Sequence, residues 1–582
     1  MKNFALFALL QLVAWPCLIV GAEKPNIIVI YTDDHGWPDI GAADIYDDLK
    51  TPHIDALAAS GVRATNGYST APQCIPSRAG LLSGRSQNRF GVESNGVDLA
   101  GFNRQFTIAE RLKTAGYMTG QIGKWHLGPV HEISDHGFDD VYSKNANRPC
   151  FANYTLDGKT IPGQMVSDGT YHLDACSKAA VAFINRHHGN PFFLYLAYRA
   201  PHVPLDAPEK YLSRFPGEMP ERRRQALAMI SAMDDGVGQI VAELQKKNLY
   251  KNTLIFYIGD NGAPLKIHKL DAPGGGPGWD GSHNEPMNGE KGMLTEGGIR
   301  VPFLISWPGR IPGGVVYDDP IWTLDVAATA VELAGLEKDQ TLDGVNLIPF
   351  LSGEIKEPPH SSLKWRWVAQ SAIRKGDWKF LKGGNRKYLF DLGADPKEKR
   401  NLLVKNQPLA SAMESELAAW AGDLQPPGID VASMSPVWEA YFDFYLEGKA
   451  AKGANPGRVD RQWQSRNGTL KRENGNLVIS PQKKNRNPFI VIDGLKISGS
   501  FPVELELESA NSGSIGVAWR SQGQKDFVPA QRVSKDIDPT GGRQIVVLQI
   551  PAQGKTIHAR VHLPKGETRI RSISFDGRQW EF

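Results

Sequence analysis

The sequence predicts an α/β protein with a mainly parallel central sheet sandwiched between helices, a smaller C-terminal antiparallel sheet subdomain and an appended β-sandwich. Three observations predict this fold class. Several short runs are almost continuously apolar, which is typical of strands covered on both faces. A segment between two of these runs repeats apolar residues at helical spacing, and strand–helix alternation indicates an α/β sandwich. Near the C-terminus, apolar and polar residues alternate strictly. The apolar runs lie at residues 26–32, 192–197, 254–258 and 301–307, and the helical segment at 222–245.

The chain is long enough for more than one domain. It has 582 residues, of which 41% are hydrophobic and 22% are charged, with a mean hydropathy of −0.34. This composition is typical of a soluble globular protein. From the changes in pattern we expect a main α/β domain at residues 23–355, the antiparallel subdomain at 356–425, an irregular linker at 426–456 and the β-sandwich at 457–582.

The N-terminus has the features of a secretory signal peptide. Lys2 precedes an apolar run from residue 4 to residue 20, and the small pair Gly21-Ala22 follows it. The run is short for a membrane span and is flanked like a signal. We therefore expect cleavage after Ala22, with an uncleaved anchor as the alternative. The mature protein is then secreted or periplasmic and has no membrane span.

Three cysteines remain after this cleavage, namely Cys74, Cys150 and Cys176. An odd number in an exported protein means that at least one cysteine needs an explanation other than a disulfide. Cys150 and Cys176 either pair with each other or stay as free thiols. Cys74, in what the sequence indicates is an exposed turn entering a helix, is then the cysteine to explain.

Polar side chains follow three of the predicted strands. Asp33 and Asp34 come directly after the first run, His202 follows the second, and Asp260 and Asn261 follow the third. In open α/β sheets, functional groups gather at the carboxyl ends of the strands. Carboxylate and amide oxygens without thiolate suit Ca²⁺ or Mg²⁺ and disfavour Zn²⁺. Taken singly, each pair is also an ordinary turn or helix-cap sequence.

Five motifs occur in a fixed order along the chain. They are CIPSRAGLLSGR from Cys74, GKWHLG at 123–128, APHVP at 200–204, GDNG at 259–262 and KGMLTEGGIRVP at 291–302. Together they resemble the sulfatase family. Over residues 24–425 the chain is similar to the arylsulfatase type within the alkaline phosphatase superfamily, which implies an alkaline-phosphatase-like fold and hydrolysis of sulfate esters.

The resemblance answers the question of Cys74. In such proteins a maturation enzyme reads Cys-x-Pro-x-Arg and oxidises the cysteine to formylglycine, whose aldehyde hydrates to a gem-diol. One diol oxygen attacks sulfur and releases the alcohol, and the second then expels sulfate and restores the aldehyde. The implied cofactor is Ca²⁺, with Mg²⁺ as the alternative. The implied metal ligands are Asp33, Asp34, Asp260, Asn261 and the modified Cys74.

The resemblance also implies roles for six side chains of the site, Cys74 among them as the nucleophile. Arg78 would stabilise the hydrated formylglycine, and Lys124 would contact both sulfate and the diol. His126 would take a proton during elimination of sulfate. His202 would act as general acid on the leaving oxygen, either alone or shared with Lys124 or Lys291, and Lys291 would bind sulfate oxygens. Preorganised cations of this kind favour a transition state in which negative charge builds up.

The substrate is expected to be a sulfated carbohydrate, because two Gly-rich polar loops, at residues 145–171 and 263–290, should ring the mouth of the site. The enzymatic alternative is a phosphodiesterase or phosphonate monoester hydrolase, since relatives in the superfamily share the formylglycine and the metal site. An alternative of another class is an inactive glycan-binding protein. The intact set of site residues argues against it.

The C-terminal region is basic. Residues 452–582 contain 21 Lys and Arg against 12 Asp and Glu, a net charge of +9, and since the whole chain carries +3, the rest carries −6. Such a region can hold a sulfated polysaccharide. A solubilising or packing domain is an equally good interpretation, and nucleic acid is not expected as a partner of an exported protein. Within this C-terminal region, Val503, Leu505 and Leu507 alternate with Glu504, Glu506 and Glu508. This alternation predicts half-buried strands of a β-sandwich.

Overall fold

A ten-stranded mixed sheet organises the larger part of the chain. The computed structural model describes residues 24–95, 97–265, 279–426, 436–449, 463–473, 476–481, 487–509, 511–524, 527–538 and 542–581. The predicted signal peptide lies outside these residues. In spatial order the strands are Val315–Tyr317, Gly61–Ala64, Phe303–Ser306, Thr253–Gly259, Asn26–Asp33, Phe192–Pro201, Met118–Gly123, Asp140–Ser143, Cys150–Tyr154 and Thr160–Val166.

The middle of the sheet is parallel, as the sequence predicts. Ile28 lies between Ile255 on one neighbouring strand and Leu194 on the other, and both pairings are parallel. All eight residues of Asn26–Asp33 are buried, which explains why this run is apolar throughout. The fourth predicted strand differs in direction, because Phe303–Ser306 pairs antiparallel with Thr253–Gly259.

Helices cover both faces of the sheet, and successive strand residues point to opposite faces. Ile28 and Ile30 belong to one core, while Ile27 and Val29 belong to the other. The first core is closed by the helices Pro52–Ala59, His172–His187 and Glu221–Lys246, and the second by Cys74–Ser83, Ile108–Thr114 and Asp325–Leu333. The observed helix Glu221–Lys246 extends the predicted one by a single residue at each end.

Shorter elements connect these layers. The short α-helices are Ala100–Asn103, Glu209–Leu212, Glu296–Ile299 and Ile348–Leu351, and the 3-10 helices are Gly41–Ala43, Gln87–Phe90, Val130–His136 and Tyr250–Asn252. A two-stranded parallel sheet joins Gly67–Tyr68 and Ile321–Trp322. In the described part of the chain, no helix combines the length and the apolar character that crossing a membrane requires.

Residues 145–171 are not the irregular loop that the sequence suggested. They contain the hairpin Cys150–Tyr154 and Thr160–Val166, which closes one edge of the large sheet. The second strand carries Pro162 and Gly163, two residues that argue against a strand in the interior of a sheet. Both are tolerated here because this strand has a neighbour on one side alone.

Cys150 and Cys176 are buried as free thiols. Both lie in the same hydrophobic core as Leu173 and Phe183. The disulfide alternative is therefore not formed, and these two cysteines act as small apolar side chains.

A smaller antiparallel sheet follows, as predicted, with the strands Leu363–Trp367, Gln370–Lys375, Trp378–Gly383 and Arg386–Asp391. The helix Gln407–Gly422 packs on one face of it. A second helix, Pro436–Tyr445, buries Tyr441 and Phe442 in the core that contains Trp365 and Tyr388. The prediction of an irregular linker is wrong for this stretch, because its aromatic residues complete the core of the subdomain.

A buried ion cluster ties this subdomain to the main domain. The Nζ of Lys379 lies 2.8 Å from Glu296 and 2.9 Å from Glu398, and all three side chains are fully buried. Glu296 begins the helix Glu296–Ile299 at the edge of the main domain, and it also accepts a hydrogen bond from the hydroxyl of Tyr68 at 2.6 Å.

Replacing Lys379 by methionine is expected to lower the free energy of unfolding by about 3–5 kcal/mol, because two carboxylates lose the buried cation between them. Denaturant titration of the two proteins measures the difference. The matched control is Lys387→Met in the next strand, where the lysine is exposed and pairs with Glu414 at 2.8 Å. There we expect a change of about 1 kcal/mol or less. Equal losses in the two variants would contradict a special role for Lys379.

The last part of the chain is a β-sandwich of two antiparallel sheets. Val503, Leu505 and Leu507 are buried between the sheets while Glu504 is exposed, as the alternation predicts. The five-stranded sheet has the order Trp463–Arg466, Phe489–Ser498, Lys555–His562, Gly513–Ser521 and Arg532–Ile537. The six-stranded sheet contains Gly468–Glu473, Asn476–Pro481, Thr568–Phe575, Phe501–Ser509 and Arg543–Ile550 in that order, with Arg578–Glu581 paired to Thr568–Phe575.

Candidate active site

Two adjacent strand ends bring four oxygen-bearing side chains together. Thr32 pairs with Gly259 in the parallel register, so Asp33 and Asp34 leave the sheet beside Asp260 and Asn261. The backbone N–H of Asp34 donates to Oδ1 of Asp260 at 3.0 Å, and the amide of Asn261 donates to Oδ1 of Asp34 at 2.7 Å. All four side chains are fully buried. Asp34 adopts a left-handed backbone conformation with φ 59°, which turns the chain at the strand end.

Cys74 lies directly over this group. It is the first residue of the helix Cys74–Ser83, and its Sγ is 3.3 Å from Oδ1 of Asp33 and 3.9 Å from Oδ1 of Asp34. The expectation of an exposed turn is wrong, because Cys74 is fully buried. Burial, with the Asp260 carboxylate nearby, raises the pKa of the thiol to about 12. The unmodified side chain is therefore a neutral thiol and a poor nucleophile.

Three cations surround the carboxylates. Nζ of Lys124 donates to both oxygens of Asp33, at 2.7 and 2.8 Å. Arg78 pairs with Asp260 at 2.8 Å and lies 3.5 Å from Asp33. Nζ of Lys291 lies 2.5 Å from Asp34 and 3.2 Å from the sulfur of Cys74. The predicted cationic side chains therefore converge on the predicted metal ligands and on Cys74.

Glycine is required immediately before Lys124. Gly123 has φ 88°, and a Cβ at this position would lie 2.1 Å from the carbonyl oxygen of Ala197. The N–H of Lys124 donates to that same oxygen at 2.8 Å. The strand can therefore approach its neighbour closely enough to aim Lys124 at Asp33 only when residue 123 has no side chain.

The two predicted histidines differ in their surroundings. Nε2 of His202 lies 3.6 Å from Asp34, while its Nδ1 is 2.6 Å from the carbonyl oxygen of Val203. Nδ1 must carry a proton to donate to a carbonyl, so Nε2 is the nitrogen that faces the site. The side chain of His126 is accessible to solvent. Its pKa is nevertheless lowered, first by the protein that surrounds part of the ring and then by the charges of Lys124 and Arg78. The same cations thus act on His126, although its side chain stands outside the hydrogen-bonded cluster.

The donor set fits a divalent cation. Oδ1 of Asn261 is buried and has no hydrogen-bond partner among the described residues, and an unpaired amide oxygen is a ready ligand for a hard cation. Burial and the neighbouring Asp33 carboxylate raise the pKa of Asp260 to about 7, a crowding of negative charge that a bound cation relieves. Ligand atoms of Asp33, Asp34, Cys74 and His202 also lie within 4.8 Å of one another.

Sequence reasoning missed two residues beside the site. The hydroxyl of Tyr195 accepts from Arg78 at 3.1 Å and orients the guanidinium. Arg199 lies close enough to Asp33 and Asp34 for their charges to act on it, although burial lowers its pKa overall. A basic residue three positions before His202, at the end of an otherwise apolar strand, was the available signal for Arg199. Tyr195 gave none, because an aromatic residue is ordinary in a buried strand.

A cavity of about 590 Å³ is lined by residues directly before and after the hairpin Cys150–Tyr154 and Thr160–Val166, Pro149 and Ser167 among them. Arg148, one of its lining residues, is exposed and acts electrostatically on Arg199. Lys144, which also lines the cavity, follows Ser143, whose hydroxyl donates to the carbonyl oxygen of Gly123 at 3.2 Å, directly before Lys124, so the cavity lies near the site. Other lining residues are Asn147, Tyr171 and Asp206.

Comparison with known proteins agrees with this geometry. The family model described as Sulfatase matches residues 25–336, and the model described as N-sulphoglucosamine sulphohydrolase, C-terminal, matches residues 288–422. N-acetylgalactosamine-6-sulfatase of Mus musculus is 32% identical over 385 residues, which are 60% of this chain and 71% of that protein. The crystal structure of Ps i-CgsB in complex with k-i-k-neocarrahexaose is 32% identical, with a TM-score of 0.61 over 72% of this chain and 97% of that one. The PsFucS1 sulfatase from Pseudoalteromonas sp. is 25% identical, with a TM-score of 0.55 over 70% of this chain and 92% of that one.

Proposed function

This chain belongs to the sulfatase family, and from that premise we propose that it is an exported enzyme that hydrolyses sulfate esters of a carbohydrate. The nucleophile is a formylglycine made from Cys74 by a maturation enzyme, and the cofactor is Ca²⁺, with Mg²⁺ as the alternative. The observation that carries the proposal is the position of Cys74. It stands between the carboxylates of Asp33 and Asp34 and the ammonium of Lys291, at the point where a nucleophile can be held by a cation and face an anionic substrate.

A formylglycine at this position supplies the hydrated aldehyde that attacks sulfur, and a bound cation supplies positive charge for the attacking group and for the sulfate. Asp33, Asp34, Asp260 and Asn261 would hold that cation. They fit this task because their oxygens converge and because Oδ1 of Asn261 is buried without a partner among the described residues. Nε2 of His202 also faces Asp34, so the histidine lies at the edge of the same cluster.

The protein's own cations bind the sulfate and stabilise its departure. Lys124 and Lys291 approach Cys74 from two sides, since Lys124 holds Asp33 and Lys291 contacts the sulfur directly. Both are buried, so their charges act through a medium that screens them less than water does. Arg78 is held by Asp260 and by Tyr195, which fixes its guanidinium before substrate arrives. Such preorganised charge is usually the largest single contribution to catalysis of group transfer.

Proton transfer is assigned to the two histidines. Nδ1 of His202 donates to the carbonyl of Val203, so the imidazolium form of His202 presents its second proton, on Nε2, towards the site and can give it to the leaving alcohol oxygen. His126 is exposed and its pKa is lowered, so it is neutral at neutral pH and able to accept the proton that the second hydroxyl of the formylglycine hydrate loses.

The cavity and the relatives support a carbohydrate substrate. The mouse relative is named for N-acetylgalactosamine-6-sulfate hydrolysis, and the solved structure of Ps i-CgsB holds a neocarrahexaose. The cavity beside the site is large enough for a sugar unit, and Arg148 and Lys144 line it. Both observations favour a substrate that continues beyond the reacting sulfate and carries further negative charge.

Replacing Arg148 by alanine is expected to raise KM for a sulfated oligosaccharide by about three- to tenfold, the effect of losing one ordinary hydrogen bond at an exposed position. The kcat and all constants for a small aryl sulfate should stay unchanged, because Arg148 stands outside the cluster around Cys74. Steady-state kinetics with both substrates measure the difference. The control is Arg104→Ala, another exposed arginine that does not line the cavity, and an equal change in KM there would contradict the assignment.

The proposed activity is tested by product release from a substrate panel. The mature enzyme with Ca²⁺ is given an aryl sulfate, sulfated mono- and oligosaccharides, a phosphodiester and a phosphonate monoester. We expect inorganic sulfate from the sulfate esters, with kcat/KM higher for at least one sugar than for the aryl ester. Turnover of the phosphodiester or phosphonate alone would overturn the proposal.

A further inference from the structure

The outer face of the five-stranded sheet in the β-sandwich is rich in arginine and aromatic residues. Inward residues of its strands, such as Val517 and Val561, form the core, so the alternate positions face outward. Three cross-strand rows occupy that face. The first row is Arg466, Phe489, His562, Gly516 and Ser534, the second is Val491, Arg560, Ala518 and Arg532, and the third is His558 and Arg520.

The side chains on this face support one another. The guanidinium of Arg560 lies 3.8 Å from the ring centre of Phe527 and 5.5 Å from that of Phe489. The ring of His562 lies 5.2 Å from the ring of Phe489. Nε of Arg520 donates to Nδ1 of His558 at 3.1 Å. Stacking on rings holds a guanidinium flat, so its N–H edges are ordered before a ligand arrives.

Small residues in the sheet let arginine lie across it. A Cβ at Gly516 would lie 2.8 Å from Nε of Arg532, so the Arg532 side chain covers the backbone at Gly516. Arg532 and Arg560 flank Ala518 in one row. Burial and the positive charges of Arg532 and Arg560 lower the pKa of His562 to about 4. Both guanidinium groups therefore lie near His562 on this face.

The opposite face of the sandwich is different. There Arg543 lies 3.3 Å from Glu506 and 3.7 Å from Glu508, and Arg571 lies 3.9 Å from Glu506. Arginine and glutamate therefore neutralise each other on the six-stranded sheet. On the five-stranded sheet the outward registers hold four arginines, and Asp536 is the one acidic residue among their described side chains.

We propose that the outer face of the five-stranded sheet binds a strand of sulfated polysaccharide, separately from the active site. The choice of a sulfated glycan rests on the proposed function, since the same chain hydrolyses sulfate esters. Guanidinium groups bind sulfate oxygens through paired N–H donors, and the aromatic rings offer apolar surface to sugar rings. The arginines span five strands, about 19 Å at roughly 4.8 Å per strand, which gives room for several sugar units. The face keeps the enzyme on an insoluble or gel-forming substrate between cleavage events.

The test compares two charge-matched double variants of the full-length enzyme. Arg532→Gln with Arg560→Gln removes two charges from the five-stranded sheet, and Arg543→Gln with Arg571→Gln removes two from the opposite face. Binding to carrageenan, to unsulfated agarose and to duplex DNA is measured by affinity electrophoresis at several salt concentrations. We expect the first variant to bind carrageenan at least about tenfold more weakly, and the second to stay within about twofold of the wild type.

Equal losses in both double variants would overturn the proposal, because net charge alone would then explain binding. Binding of agarose or DNA as tight as that of carrageenan would also overturn it. The single variant Arg532→Gln, at an exposed position, replaces the double variant if that protein fails to fold, with a loss of about threefold or more expected. Hydrolysis of a small aryl sulfate should be unchanged in all variants. A wild-type protein that binds carrageenan but releases sulfate from no ester would refute the proposed function while leaving the binding face in place.

Discussion

Replacing Cys74 by alanine is expected to reduce sulfate release by at least about 10³-fold while leaving the protein folded. The variant loses the side chain that is proposed to become the formylglycine, and loss of a covalent nucleophile costs several orders of magnitude in kcat. The remaining lysines and Arg78 can still bind sulfate, so KM should change much less than kcat. Initial rates with an aryl sulfate and with a sulfated oligosaccharide measure both constants.

The matched control is Cys150→Ala, since Cys150 is another buried free thiol that lies in the hydrophobic core. It should retain the activity of the wild type, with at most a small loss of stability. If Cys74→Ala kept more than about a tenth of the wild-type kcat, a water molecule rather than a modified side chain would be the nucleophile.

Replacing Asp33 by asparagine is expected to weaken Ca²⁺ binding by at least about 10²-fold and to lower kcat by a similar factor. Asp33 contacts Lys124 and Arg78 and lies 3.3 Å from Cys74. Burial opposes ionisation of Asp33, but the positive charges of His202, Lys124 and Arg78 hold its pKa well below the usual value, so its charge is present throughout the working pH range. Removal of outer partners of a metal ligand already costs 10–100-fold, and the loss of a ligand's own charge costs at least as much.

Calorimetric titration of Ca²⁺ into the chelator-treated protein measures the affinity, and sulfate release at saturating Ca²⁺ measures the activity. The control is Asp44→Asn, at an exposed residue with φ 56° where asparagine is equally well tolerated. Ca²⁺ affinity that is unchanged in Asp33→Asn would show that the cation binds elsewhere.

The central part of the fold and the composition of the site were predictable because both depend on local signals. Runs such as residues 26–32 are apolar because both faces of the strand are covered, and the polar pairs that end them break that pattern at a defined place. Asp34 and Asp260 are far apart in sequence. They were predicted to lie together because functional groups gather at the carboxyl ends of the strands in open α/β sheets. The alternation at Val503, Leu505 and Leu507 likewise reports a sheet with one buried face.

The other parts of the fold and of the site could not be predicted, because they depend on contacts between distant residues that no local sequence pattern encodes. The strand Thr160–Val166 contains Pro162 and Gly163, and only its position at the edge of the sheet permits it. The helix Pro436–Tyr445 follows a Pro/Gly-rich stretch and is stabilised by packing of Phe442 against the subdomain. The sulfur of Cys74 lies 3.3 Å from Asp33 and 3.2 Å from Nζ of Lys291, so its burial depends on residues from distant parts of the chain.

The most direct test of the account is the mass of the Cys74 peptide from enzyme produced with a maturation enzyme, measured on the same sample whose sulfate release is assayed. The account predicts a loss of about 18 Da at this residue, the change from cysteine to formylglycine, and specific activity in proportion to the modified fraction. Full sulfate release from protein in which Cys74 is unmodified would contradict it, as would complete modification without sulfate release from any ester.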